Sequence, residues 1–376
     1  MDTTQIYSIV NGAVSEAIGE SALAGIDTKN LVSVGSVVLS SSTNTEAFLN
    51  TLCQRIGRTI FRYRMYSNKF KGLLVSDMQW GAILQKLRVA PVSAVSDPTY
   101  ELTNGESIDM FTVAKPETKQ KLFVTRTPYM YQITIQRDTL REAFLSEEAM
   151  GSFVALIFGE VRNSIELGLE SLGRLTLSVA MSETSDTNGQ RVNLVTDYNT
   201  ERGLTGDSAL TAQTAIYNAD FLRYAIMRIN HTIDMLQDMS VNYCDGTLPT
   251  FTNKEDMRIK VLSGFQRRLE TVVEYASFHD QFTSVDGAYD TVNFWQSELT
   301  PSSIDILVRP SMGDEVVINN IVACIYDRDA CGIYQIDETV LTSPVNAKGQ
   351  YYNTFYHLKQ GRFVDTSENF VLFTLN

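Results

Sequence analysis

The sequence predicts an α+β fold, and three observations carry that expectation. Residues 147–181 hold an apolar stripe at helical spacing, and residues 128–136 alternate with the period of two of a half-exposed strand. From Ile304 onward come five short strand-like runs, "IDILVRP", "VVINNIVACIYD", "GIYQI", "QYYNTFYHL" and "NFVLFTL", separated by Pro, Gly or Asp. With 376 residues, 44% of them hydrophobic and 20% charged, the chain has the apolar surface to offset its ordering entropy and the length of two or three lobes.

Residues 1–45 are rich in Ser, Thr, Gly, Ala and Val with weak periodicity, and read as an arm that needs something to lie on. In "NTEAFLNTLCQRIGRTIF", Thr45 can cap a short amphipathic helix whose face is Phe48, Leu49, Leu52, Ile56 and Ile60. From Lys69 to Gln136 the pattern is extended. "PYMYQITIQ" places Tyr129, Tyr131, Ile133 and Ile135 on one face, and the turn-rich stretch upstream, with Pro91, Pro98 and Asn104-Gly105, implies an antiparallel excursion. A two-stranded ribbon is marginal alone, so it must pack on the body or on a neighbour.

The strongest helix follows. Ser146 can cap it, Glu147 and Glu148 suit its positive end, and Phe153, Ile157, Val161, Ile165, Leu169 and Leu172 form the stripe. "SETSDTNGQ" ends it. A second lobe then holds one helix lined by Leu222, Ile226, Ile229, Ile233 and Leu236 and another within "SGFQRRLETVVEYASF". In the C-terminal run, rings at Tyr351 and Phe355 alternate with Tyr352 and Tyr356, so this strand is expected to be buried on both faces.

The net charge of −13 argues against a surface that binds nucleic acid throughout. Charge is nonetheless divided. Arg55 to Arg88 carries eight basic residues against Asp77, and Glu270 to Glu315 carries nine acids against Arg309. Basic residues interleaved with Phe61, Tyr63, Tyr66, Phe70 and Trp80 fit single-stranded nucleic acid. The reading favoured is a basic strand face meeting the acidic segment of an identical subunit. The contact residues then expected are Arg62, Arg64, Lys69, Lys71, Lys86 and Arg88 on one side and Glu298, Asp305, Asp314 and Glu315 on the other.

Candidate chemistry is sparse. Asp327-Arg328-Asp329 after a buried strand has the spacing with which sugar-nucleotide glycosyltransferases hold a divalent cation, but no nucleotide-binding βα unit precedes it, and the turn reading of Asp327 and Asp329 is preferred. His231, Asp234 and Asp238 share one helix face, more simply its wet side. There is no HExxH, CxxC, G-x-S-x-G, GxGxxG or GxxxxGK[ST]. Cys53, Cys244, Cys324 and Cys331 are irregularly spaced, as free thiols would be. The N-terminus lacks the order of a secretory signal, and no stretch reaches the roughly 20 apolar residues of a membrane span. No catalytic residue, metal or cofactor is expected.

The order of these pieces resembles the major capsid proteins of tailed double-stranded DNA bacteriophages, nearest to small short-tailed phages with a separate scaffolding protein. The residues that carry the resemblance are Leu49 to Tyr63 and Ile321 to Phe373, with "IVACIYDRDACGIYQI" and "NAKGQYYNTFYHLKQGRFVDTSENFVLF". The resemblance implies the tailed-phage capsid fold. Residues 1–61 would be an N-terminal arm and short helix, 62–140 an extended β-hairpin loop lying over the adjacent subunit, and 141–182 the spine helix of a peripheral domain. Residues 183–318 would be an axial domain and 319–376 the peripheral sheet. It further implies a non-enzymatic subunit assembling into pentamers and hexamers of an icosahedral or prolate head, in the virion after assembly in the host cytoplasm. Its partners would be itself, a scaffolding protein, a portal protein and packaged DNA held without specificity, with no membrane. The shell protein of a cellular encapsulating compartment and a metal-dependent glycosyltransferase are the alternatives.

Overall fold

The structure is a computed structural model that describes residues 3–19, 31–62, 70, 73–77, 84–92, 94, 97, 103–107, 111, 113, 115, 118–124, 126–276, 289–296, 306–308 and 316–376, with 91, 92 and the isolated positions as loop. The chain divides into two units.

The first unit takes in residues 1–80, 126–173 and 333–361. Its helices are α1 (Thr3–Ile18), α2 (Leu31–Val38), α3 (Ser42–Arg62), α4 (Arg137–Ala143) and the first three quarters of α5 (Glu147–Ser182). Its sheet has the order β1-β11-β12-β4, from β1 (Leu74–Asp77), β11 (Cys331–Thr342), β12 (Tyr351–Val364) and β4 (Arg126–Gln136). β12 pairs antiparallel with β4 from Tyr351 opposite Gln136 to Gly361 opposite Arg126. β1 runs parallel to β11.

At 36 residues α5 is about 54 Å long. It starts where the Ser146 hydroxyl accepts from the Ala149 N–H at 3.1 Å. Phe153, Val154, Ile157, Val161 and Ile165 recur every three or four residues and are buried against Ile133 and Ile135 of β4, Tyr352, Tyr356 and Leu358 of β12, and Phe48, Leu49, Leu52 and Ile56 of α3. Gly168 lets α5 approach β4, because a Cβ there would strike the Tyr131 hydroxyl.

The N-terminal segment differs from the expected arm. Residues 3–18 form a helix that buries Val10, Ala13 and Val14 in the core shared with α3. The reason is a narrow face of small side chains, which gives weak periodicity but close packing. Thr45 does not cap: α3 begins earlier, and the Thr45 hydroxyl donates back to the Ser41 carbonyl at 2.9 Å. β12 also departs from burial on both faces. Tyr352, Thr354, Tyr356 and Leu358 are buried, whereas Tyr351, Asn353, Phe355 and His357 are half-exposed.

The second unit takes in residues 81–125, 174–332 and 362–376. Its main sheet has the order β5-β13-β10-β6-β7, from β5 (Arg191–Asn193), β13 (Phe370–Thr374), β10 (Ile321–Asp327), β6 (Met257–Leu262) and β7 (Tyr289–Val292). Every residue of β10 and β13 is buried, as continuous apolar runs in central strands should be. Helices α6 (Leu194–Arg202), α7 (Ala212–Ala215), α8 (Ala219–Met235) and α9 (Ser263–Ala276) accompany it. Asn193 and Asn218 cap α6 and α8 by accepting backbone N–H bonds. Two short pairs complete the unit, β2 (Leu84–Val89) with β3 (Thr118–Phe123) and β8 (Ile306–Val308) with β9 (Val316–Ile318). The expectation that 319–376 is one peripheral sheet is therefore corrected: β10 and β13 pair with β6 and β5, and only the middle of that segment joins the sheet of the first unit.

Candidate assembly interface

The β2–β3 ribbon is antiparallel, with Leu84 opposite Phe123 and Val89 opposite Thr118. Period-two alternation sends Lys86 and Arg88 of β2 and Lys119 and Lys121 of β3 to the same, half-buried face. Facing them is the turn "DTSEN" between β12 and β13. Its shape is set locally, since Asp365 Oδ1 accepts from the Ser367 N–H at 3.1 Å and the Ser367 hydroxyl at 2.6 Å.

Lys121 Nζ donates to Asp365 Oδ1 at 2.8 Å and to Asp245 Oδ2 at 3.3 Å. Lys86 Nζ lies 2.5 Å from Glu368 Oε1 and 3.0 Å from Asp365 Oδ2. Arg88 Nη1 donates to the Ser367 carbonyl at 2.7 Å, and its Nη2 is 3.8 Å from Glu368 Oε2, which also accepts from the Thr250 hydroxyl at 3.2 Å. Three cations thus meet three carboxylates. Burial alone would raise the Asp365 carboxyl, but Lys86, Lys121 and Ser367 outweigh it and hold the pKa at about 2, below 3.8. Asp245 is likewise lowered against its burial, by Thr247 and Lys121. Lys86 is raised: burial disfavours its charge, and Asp365 and Glu368 restore it.

Asp327 closes β10 beside this network. Its Oδ1 accepts from the Asp329 N–H at 2.8 Å and its Oδ2 from the Thr252 hydroxyl at 2.8 Å, while its carbonyl accepts from the Ala330 N–H at 2.9 Å. Each carboxylate oxygen thus accepts one hydrogen bond, one of them inside the turn from β10 into β11 and the other from Thr252. Burial raises its pKa, opposed by those two hydrogen bonds. Asp327, Asp329, Asp256 and Arg328 line a cleft of about 400 Å³ together with Val89 and Phe251. Among the described residues no three His, Cys, Asp or Glu side chains are placed to hold a metal ion. His231 lies instead beside Asp197, Glu201 and Arg228 in a groove of α6 and α8, where Arg228 pairs with Asp197 at 3.4 Å. All four cysteines are buried and free. No helix among the described residues is long and apolar enough to cross a membrane.

Of the expected contact residues, Lys86 and Arg88 come together, on acids of the same chain. Arg62 is the last residue of α3. Arg64, Lys69, Lys71, Glu298, Asp305, Asp314 and Glu315 lie outside the described residues. The sequence reading missed Lys121, Asp245, Asp365 and Glu368. The signal was present: "TKQKLF" repeats the i, i+2 cation spacing of "LQKLRV", as a paired strand would.

Residues 8–374 match the family model of Phi29-like phage major capsid proteins. The major capsid protein of Bacillus phage PZA is 23% identical over 375 residues, which are 98% of this chain and 73% of that protein. That of Bacillus phage B103 is 24% identical over 169 residues, 44% of this chain and 37% of the other. Among solved structures, a chain of the capsid of Staphylococcus phage Andhra aligns with a TM-score of 0.52 at 11% identity, covering 82% of this chain and 84% of that one. A chain in the structure of head fiber and inner core protein gp22 of native bacteriophage P68 gives 0.51 at 12%, covering 82% and 85%. At these identities the structural likeness concerns the fold.

Proposed function

Because the chain belongs to the Phi29-like phage major capsid protein family, and is therefore a shell-forming structural subunit of the virion, we propose that it builds the pentamers and hexamers of a phage head around packaged DNA. The observation that carries this reading is the span of the family match, which takes in every element described above except the first residues of α1. The subunit works without catalysis, and the buried carboxylates Asp327 and Asp365 serve to hold the fold.

In this reading the first unit, with the long helix, is the peripheral lobe. The five-stranded sheet and its helices are the axial lobe near the symmetry centres, and the segment containing the β2–β3 ribbon is the extended loop that lies over an adjacent subunit. Arg62, Arg64, Lys69 and Lys71, and Glu298, Asp305, Asp314 and Glu315, supply opposite charges for contacts between copies. Assembly takes place in the host cytoplasm on a separate scaffolding protein, with a portal protein at one vertex. A net charge of −13 suits a wall that contains DNA without gripping it.

The test is sedimentation of the purified chain, alone and with the scaffolding protein, with negative-stain imaging of any fast fraction at low and high salt. Rings, sheets or shells are expected. A chain that stays monomeric at every concentration in both mixtures overturns the reading, and uniform shells from the chain alone overturn the need for a scaffold.

A further inference from the structure

The chain contains three Asn-Gly pairs, Asn11-Gly12, Asn104-Gly105 and Asn188-Gly189, and the fold gives each a different setting. An asparagine followed by glycine is chemically labile, because the glycine has no side chain to keep its backbone nitrogen from the asparagine's own Cγ. Whether the pair reacts depends on whether the backbone can bring those two atoms together.

Two of the pairs are restrained. Asn11-Gly12 lies in the middle of α1, where the helix commits each N–H to the carbonyl four residues back and fixes the dihedral angles. Asn188 is half-buried and fastened twice: its Nδ2 donates to the Cys244 carbonyl at 3.0 Å, and its own carbonyl accepts from the Tyr243 N–H at 2.8 Å. Asn104 is exposed, as is every residue from Thr103 to Ser107. The Glu106 N–H donates to the Thr103 carbonyl at 3.1 Å, so Asn104 and Gly105 are the central pair of a β-turn. The φ of +100° at Gly105 is the positive value that a type II turn requires of its second central residue. Among the described residues neither the Asn104 carboxamide nor the Gly105 N–H has a hydrogen-bond partner, and a Cβ at Gly105 would meet nothing within 4 Å.

We infer that Asn104 is a self-modification site, deamidated in the folded chain while Asn11 and Asn188 are spared. The Gly105 nitrogen loses its proton to water and attacks Asn104 Cγ. The new N–Cγ bond closes a five-membered imide, the Cγ–Nδ2 bond breaks, and ammonia departs carrying a proton. Water then opens either carbonyl of the imide. One opening leaves aspartate; the other leaves an isoaspartate, whose main chain runs through the former side chain. Neither step needs an oxidant or a reductant. Each event adds one negative charge at the turn to a chain that already carries −13, so a subunit acquires a chemical record of its age. The inference stands on the turn and is independent of the shell reading.

The full chain is incubated at mildly alkaline pH, folded and in urea, then digested. The peptides that hold the three asparagines are followed by mass spectrometry and by an isoaspartate-specific methyl-transfer assay. In the folded chain, conversion at Asn104 is expected to be at least about tenfold faster than at Asn11 or Asn188, and in urea that advantage should disappear. The variant Asn104→Gln, at an exposed position, is expected to lose the isoaspartate of its peptide and keep the unfolding midpoint, since its longer side chain would have to close a six-membered ring. Equal rates at the three sites in the folded chain, an advantage of Asn104 that persists in urea, or isoaspartate in that peptide of the Asn104→Gln variant overturns the inference and leaves the shell reading untouched.

Discussion

Lys121 Nζ donates to Asp365 Oδ1 at 2.8 Å, so a ribbon residue is held by a carboxylate 244 positions further along the chain. The carboxylate is buried, whereas Lys121 is partly exposed and also lies 3.3 Å from Asp245, so the stability rests on the Asp365 side of the pair. With its pKa held at about 2, below 3.8, Asp365 contributes stability that is fully present above pH 3.8 and is lost as pH falls through 2. Asp365→Asn is expected to cost about 2 kcal/mol at neutral pH and to flatten the loss of stability between pH about 4 and 2. Urea unfolding at pH 7 and an acid titration followed by circular dichroism check both.

Charge reversal at Lys69 and Lys71 is expected to block assembly while the monomer stays folded, because the acidic edge of a neighbouring copy would then meet like charge. Sedimentation alongside far-ultraviolet circular dichroism checks it, and a double variant that still assembles would sink the charge-paired contact.

At Asp327 the two accepted hydrogen bonds matter more than the charge. Asp327→Asn keeps an oxygen for the Asp329 N–H and relieves the cost of a buried carboxylate, so its stability should stay within about 1 kcal/mol. Asp327→Ala leaves that N–H and the Thr252 hydroxyl without acceptors and should cost about 1–3 kcal/mol. Chemical denaturation separates the two, and no shift with manganese and a sugar nucleotide is expected for either variant or the unaltered chain.

Gly361 lies in β12 where a Cβ would strike the ring of Tyr334, itself buried. Gly361→Ala must displace a packed aromatic ring, and a loss of about 1–3 kcal/mol is expected. Thermal unfolding measures it. The companion Gly361→Ala/Tyr334→Leu should recover part of the loss.

The long helix and the strand at 128–136 were legible because one face of each is buried, so the period of the side chains matches the period of the backbone. α1 was not, since Val10, Ala13 and Val14 make a stripe too small to stand out from the Ser, Thr and Gly around it. The destination of β10 and β13 was hidden for a different reason: a strand buried on both faces reads as a continuous apolar run and says nothing about which sheet it joins. The ribbon misled at Lys86 and Arg88 because cations were assumed to face outward. Only the fold brings Asp365 and Glu368 beneath them.

Both larger sheets have strands from the segment 321–374 in their centres. β11 and β12 sit between β1 and β4, and β10 and β13 lie between β5 and β6. During translation the flanking strands therefore leave the ribosome before the strands that join them, and neither sheet can close until residues 321–374 are made. A prematurely terminated polypeptide holds edges without middles and is a substrate for proteases. Translation itself thus screens the pool of subunits, since a chain that stops before residue 321 completes neither sheet.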